Sequence, residues 1–213
     1  MISKQRKKHI RRAFARHGMF FGYWLVGVLP FCFVKIVLKG LLAIVFYFAK
    51  RLRKITRESL MIAFGEQKNE EEIQKITHGC FAAIGKNIIE LMYYLHHPAR
   101  APKIFSFEGR EHLDQALAQG KGVIAVTAHF GNFPLMLLDL AQEGYKINVI
   151  MREARDKKVA KYILKIMSDR MVHTIHTKPR RKCVMEAFRT LRNNEILFIL
   201  MDQHFGSDGG VFV

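Results

Sequence analysis

The stretch Val123-Ile-Ala-Val-Thr-Ala-His129-Phe-Gly-Asn-Phe-Pro-Leu135 runs from β-branched and small residues into a histidine, a Gly-Asn pair and an apolar helical pattern. This order predicts a buried strand that ends near His129 and turns at once into the N-terminus of a helix. Such a turn places backbone N–H groups beside the imidazole. The histidine either deprotonates a hydroxyl next to donors that hold an oxyanion, or merely ends the strand and bonds a neighbouring carbonyl.

The alternation of strand and helix repeats along the second half of the chain. We predict strands over residues 104–107, 123–127, 147–151, 171–175 and 196–201. Helices are predicted between them over residues 111–118, 133–142, 156–168 and 180–191. Repeated β-α units with apolar, β-branched strands are typical of an α/β fold, with a mostly parallel sheet covered by helices on both faces.

The N-terminus has a different character. Residues 1–17 carry seven Lys or Arg and no acid, residues 18–34 carry no formal charge, and a second apolar run covers residues 40–49. This pattern predicts a membrane anchor, either one tilted spanning helix over residues 18–34 or a shallow hairpin kinked at Pro30. A cleaved signal peptide is the weaker alternative, because the apolar region is too long and no small-x-small site precedes Lys50.

Two further helices are predicted after the anchor. A short amphipathic helix over residues 53–64 ends at Gly65, and a long helix begins after the cap Asn69 and ends at His96-His97-Pro98. The buried face of the long helix is predicted to comprise Ile73, Ile76, Cys80, Phe81, Ile84, Ile88, Leu91, Met92 and Leu95. The predicted domains are the basic N-terminus with its anchor, residues 1–50, and an α/β domain, residues 51–213.

Composition limits the partners. Thirty-five Lys and Arg against 18 Asp and Glu give a formal net charge of +17, which indicates an anionic partner: a membrane surface, an acidic protein or nucleic acid. No nucleic-acid motif is found, so a nucleic-acid-binding protein is the weaker alternative. The three cysteines, Cys32, Cys80 and Cys183, form no C-x-x-C pair, and we predict reduced core thiols and no metal site.

Polar side chains follow the predicted strands at their carboxyl ends, which is where open α/β sheets bind ligands. These residues are His129 and Asn132, Arg152 and Glu153, His176 and Lys178, and Asp202, Gln203 and His204. Four strands thus bring a base, cations and an acid to one edge of the sheet.

Several segments, in this order, resemble the bacterial lysophospholipid and lipid A late acyltransferases. They are the N-terminal anchor, Arg57-Glu-Ser-Leu-Met-Ile-Ala-Phe-Gly65, Ile-Glu90-Leu, Phe107-Glu-Gly109, residues 122–132, Val149-Ile-Met-Arg-Glu153, Met201-Asp-Gln-His204 and Gly210-Val-Phe-Val213. The resemblance implies transfer of a fatty acyl chain from a thioester, on acyl carrier protein or coenzyme A, to a hydroxyl of a lipid A precursor or related lipid. It implies no metal or other cofactor, and it places the protein at the bacterial inner membrane with its catalytic domain on the cytoplasmic side.

The resemblance also assigns the base. The family pattern is a histidine followed five positions later by Glu or Asp; His129 matches the histidine, but the fifth position is Pro134. We expect Asp202 or Glu153, from other strand ends, to approach His129 instead, or else the chain is an inactive relative that binds lipid. Family members continue beyond the segment at residues 210–213, which suggests a shortened form.

The remaining site residues receive roles within this mechanism. Backbone N–H groups of Gly131 and Asn132, or Arg152, would stabilise the oxyanion. Arg152 and Lys178 would hold acceptor phosphates. Glu153, Gln203 and His204 complete the predicted substrate-binding set. Residues 157–170 and the cluster Lys178-Pro-Arg-Arg-Lys182 are the predicted docking surfaces for the acidic carrier protein.

Overall fold

A computed structural model describes residues 4–98, 106–154 and 156–202. The chain divides into two compact units, Met1–Arg100 and Ala101–Val213. The described part of the first unit is helical, and the described part of the second is an α/β layer structure.

The first unit contains four described helices, α1 (Lys4–Val28), α2 (Phe31–Phe48), α3 (Lys50–Phe64) and α4 (Glu70–His96). The helical conformation is interrupted at Leu29 and Pro30, because proline has no N–H to donate and its ring cannot continue the preceding helix. A single spanning helix over residues 18–34 is therefore wrong, and the apolar segment folds as two helices that meet at Pro30.

The helix α2 has the character of a membrane span. In the described part of the chain it alone is long and apolar enough to cross a bilayer, judged by length and composition. Only 6% of its 18 residues are buried inside the protein. The strongest membrane signal thus lies later in the chain than residues 18–34.

The long helix α4 begins as predicted. The Asn69 side chain accepts from the Glu72 N–H, and the Glu72 carboxylate accepts from the Asn69 N–H, each at 3.0 Å. The predicted buried face is partly wrong, because Ile84 and Ile88 are exposed. The buried positions are Ile73, Thr77, Gly85, Tyr93 and Tyr94. A glycine is needed at position 85 of this face because Leu42 of α2 packs directly against it.

The second unit confirms the predicted α/β class. Its described strands are β1 (Val123–Thr127), β2 (Ile147–Met151), β3 (Val172–His176) and β4 (Ile196–Leu200), all parallel in the order β1-β4-β2-β3. The described helices are α5 (Arg110–Ala118), α6 (Phe133–Gln142), α7 (Lys157–Asp169) and α8 (Arg180–Arg192). Leu135 and Leu137 of α6 and Ile147, Ile175 and Ile196 of the sheet form the best-buried core.

Three predictions need correction. Of the strand predicted over residues 104–107, positions 104 and 105 lie outside the described residues, and 106 and 107 are not in a strand. The sheet is not covered on both faces at β1, where Ile124 and Val126 are more than half exposed; in the described sheet this strand lies at an edge and pairs with β4. Cys32 is exposed on α2 rather than buried, whereas Cys80 and Cys183 are half-buried thiols.

Candidate active site

The pairing of β1 with β4 creates the site. Thr127 and Leu200 are partners in the parallel register, and the Met201 N–H extends the ladder by donating to the Thr127 carbonyl at 3.1 Å. His129 and Asp202 each lie two residues beyond these partners. Two segments far apart in the chain therefore reach the carboxyl edge of the sheet at the same point.

The Asp202 carboxylate contacts His129 through both of its oxygens. Its Oδ2 accepts the backbone N–H of His129 at 2.9 Å, and its Oδ1 lies 2.9 Å from the ring Nδ1. The ring of Phe133 meets the imidazole edge-on, with centroids 5.2 Å apart. These contacts fix the ring while 41% of the His129 side chain stays open to solvent.

Hydrogen bonds also determine the charge of this carboxyl group. The Nδ1–H of His129 and, second, its backbone N–H hold the pKa of Asp202 below its ordinary value. An ionised Asp202 accepts a hydrogen bond from Nδ1–H, so the other ring nitrogen, Nε2, keeps its lone pair in the neutral ring. An imidazole arranged in this way can accept a proton at Nε2, on the side of the ring that faces away from the carboxylate.

The turn after His129 leads into α6. Gly131 has φ +57°, Asn132 is the N-cap, and Pro134 occupies the first turn of the helix. A proline there costs no intrahelical hydrogen bond, because the first N–H groups of a helix have no partner within it. Pro134 thus fits the start of α6, and the carboxylate that lies against His129 is that of Asp202, two residues beyond β4. The positive end of the α6 dipole lies at this turn.

The other predicted site residues lie further along the same edge. Arg152 and Glu153 follow β2, which is two strands from β1, or about 10 Å at the usual strand spacing. Lys178 follows β3, three strands from β1 and thus about 14 Å away. Gln203 and His204 lie outside the described residues. Of the two acids expected to approach His129, Asp202 does so.

The sequence pattern indicates only that Phe133 begins a helix, whereas in the structure its ring also contacts His129. Its spacing of four from the histidine, across a Gly-Asn turn, was the available signal for a ring contact. His176 ends β3 with its Nδ1 buried and, in the described part of the chain, without a hydrogen-bond partner. It lies on the strand furthest from β1 in the order of the sheet.

Comparison with known proteins identifies related chains. The model of the family "Bacterial lipid A biosynthesis acyltransferase" matches residues 1–213. A lipid A biosynthesis palmitoleoyltransferase of Escherichia coli (strain K12) and a lipid A biosynthesis acyltransferase of Shigella flexneri are each 33% identical to this chain over 89 residues. The matched part covers 41% of this chain and 29% of each of these relatives.

Proposed function

The chain belongs to the family of bacterial lipid A biosynthesis acyltransferases, and from this premise we propose that it transfers a fatty acyl chain from a thioester to a hydroxyl of a lipid A precursor or related lysolipid. The observation that carries the proposal is the pairing of His129 Nδ1 with Asp202 at 2.9 Å. A base held in one tautomer at the open edge of a parallel sheet suits the deprotonation of a hydroxyl.

The proposed reaction uses the free ring nitrogen. The Nε2 of His129 takes the proton from the acceptor hydroxyl as its oxygen attacks the thioester carbon. The tetrahedral intermediate then collapses with cleavage of the C–S bond, and the imidazolium returns the proton to the leaving thiolate. The Asp202 carboxylate stabilises the imidazolium between these two steps. The scheme requires no metal or other cofactor.

Groups at the same edge complete the proposed site. The N-terminal turn of α6, at Gly131 and Asn132, offers backbone dipoles to the oxyanion, and Arg152 is the alternative donor. The exposed cations Arg152 and Lys178 would bind acceptor phosphates. Glu153 is placed in the substrate-binding set by the same strand-end argument, together with Gln203 and His204 from the sequence pattern.

In this proposal the positive net charge of the chain serves two contacts, one with the acyl donor and one with the membrane surface. An acyl carrier protein would dock on the basic residues of 157–170 and on the cluster Lys178-Pro-Arg-Arg-Lys182; a coenzyme A thioester is the alternative donor. The helix α2 would anchor the protein in the inner membrane, with the second unit on the cytoplasmic side.

Replacement of the base tests the proposal. We expect His129→Ala, in the full chain in detergent micelles, to lower acyl transfer from acyl carrier protein to a lipid A precursor by about 10²–10⁴-fold, the usual contribution of a general base. His112→Ala is the matched control, because His112 is an exposed histidine of the same unit, on α5. Activity that survives in His129→Ala would remove His129 from the mechanism.

Pro134 favours one alternative, a relative that binds lipid without chemistry. This alternative predicts an unsubstituted chain that binds the lipid A precursor but transfers no acyl chain from either thioester. Measurable transfer by the unsubstituted chain would exclude it.

A further inference from the structure

An apolar groove of about 320 Å³ runs between three helices of the first unit. Its walls are α1, α2 and α4, and its lining includes Gly22 and Val26, Leu41 and Val45, and Ile88 and Met92. Its volume falls at the small end of the usual range for ligand sites, about 300–1,000 Å³. The apolar lining selects for hydrocarbon over any polar ligand.

The groove is open because the α1 wall has glycine, which has no side chain, at positions 18 and 22. A Cβ atom at Gly18 or Gly22 of α1 would meet nothing within 4 Å. Gly85 of α4 differs, because a Cβ there would lie 2.2 Å from Cδ2 of Leu42. The contact between α2 and α4 thus forms the bottom of the groove. The groove stays empty above it because α1 has glycines there.

The surroundings of the groove indicate what fills it. The wall α2 is the candidate membrane span, and its residues Phe33, Ile36 and Ile44, which do not line the groove, are each more than half exposed. A helix of this composition is stable beside lipid chains and unstable beside water. The open side of the groove therefore faces the same medium as the outer face of α2.

Charge selects the class of lipid. The lining residue Gly18 follows the basic first half of α1, and the lining residue Val45 lies near the C-terminal end of α2. Lys50 and Arg51, both exposed, follow α2 at once, and no Asp or Glu occurs before Glu58 in the chain. An excess of cations over acids in this part of the chain attracts an anionic headgroup at the membrane surface.

We propose that this groove binds one acyl chain of an anionic membrane phospholipid, whose phosphate faces the basic residues around Lys50. The proposal rests on the membrane association proposed above and goes beyond it, because it assigns a lipid site to the helical unit that takes no part in the chemistry. The bound chain would fill the space beside Gly22 and stabilise the packing of α1 on α4.

Photolabelling tests this site in the full chain. The protein would be reconstituted in vesicles of phosphatidylethanolamine and phosphatidylglycerol with a trace of phosphatidylglycerol that carries a diazirine in one acyl chain. After irradiation, mass spectrometry should place the label on groove residues such as Val26 and Met92. Gly22→Leu adds a side chain where no atom is met and should lower this labelling about tenfold, the change that corresponds to about 1.4 kcal/mol of binding free energy.

Gly40→Leu is the matched control. Gly40, in α2, is also a glycine whose Cβ would meet nothing within 4 Å, but it does not line the groove, so the labelling of Gly40→Leu should equal that of the parent. Labelling in the groove that persists in Gly22→Leu, or that is no stronger than on the outer face of α2, would overturn the proposal. Groove labelling that appears only when dilution separates two copies of the protein would also overturn it. His129→Ala should be labelled like the parent, which separates this site from the proposed chemistry.

Discussion

The Asp202 carboxylate binds both the backbone nitrogen and the Nδ1 of His129, although 73 residues separate the two in the chain. The pairing of Thr127 with Leu200 sets this geometry, since each partner leads to the site over two residues. The orientation of the proposed base therefore depends on the register between β1 and β4.

Asp202→Asn should lower acyl transfer by about 10²–10⁴-fold, the range of general-base contributions. An asparagine amide that donates to Nδ1 would leave the proton on Nε2, and the base would then point the wrong nitrogen at the acceptor. The measurement is kcat/KM for acyl transfer beside a thermal melt of the same sample. Asp169→Asn, an exposed acid at the end of α7, is the control for loss of one negative charge. Equal activities of the two variants would contradict the role given to Asp202.

The same carboxylate should make stability depend on pH. The pKa of Asp202 is lowered in the folded protein, so its ionised form stabilises the fold above the unfolded value of 3.8, and this contribution disappears as the pH falls through the folded pKa. We expect Asp202→Asn to melt below the parent at pH 7 and to match it at the acid end. Melting curves of both proteins from pH 7 to pH 2 provide the check. A difference that stays constant over this range would contradict the prediction.

The effect of Asp139 on the pH dependence of stability should be opposite to that of Asp202. It is 2% exposed on α6 and its Oδ1 has no hydrogen-bond partner in the described structure. Burial, and then the charge of Glu143, raises the pKa of Asp139, so its ionisation destabilises the fold above the unfolded value of 3.8. Asp139→Asn should stabilise the protein at pH 7 by on the order of 1 kcal/mol. The gain should vanish near pH 3, as measured by denaturant unfolding, and a loss of stability at pH 7 would contradict this account.

Two glycines at the start of β1 form a matched pair. Gly120 and Gly122 have φ +69° and +71°, so alanine at either costs about 1–2 kcal/mol for the left-handed backbone. A Cβ at Gly122 would also lie 2.7 Å from the backbone of Leu191, whereas one at Gly120 would meet nothing within 4 Å. Gly122→Ala should therefore lose about 1–3 kcal/mol more than Gly120→Ala, the cost of overpacking. Denaturant unfolding of both variants measures this difference, and equal losses would contradict the role of the Leu191 contact.

Local patterns in the sequence were sufficient for most elements. The strands at residues 123–127 and 147–151 and the helix at residues 133–142 were predicted at their observed bounds, because β-branched runs and apolar periodicity act over a few neighbours. The cap Asn69 was predicted for the same reason, since its bonds reach only three residues along the chain. The buried face of α4 was not predicted correctly from the sequence, because Leu42, a residue of another helix, covers α4 at Gly85.

The sequence by itself determined the kinds of residue at the strand ends: a histidine, cations and an acid after apolar strands. Only the tertiary structure decided which of them meet. The strand order β1-β4-β2-β3 inserts the last described strand beside the first, so Asp202 reaches His129 while Glu153 follows a strand one place further away. Strand order depends on packing between residues far apart in the chain, so the sequence of one strand does not specify which strand pairs with it.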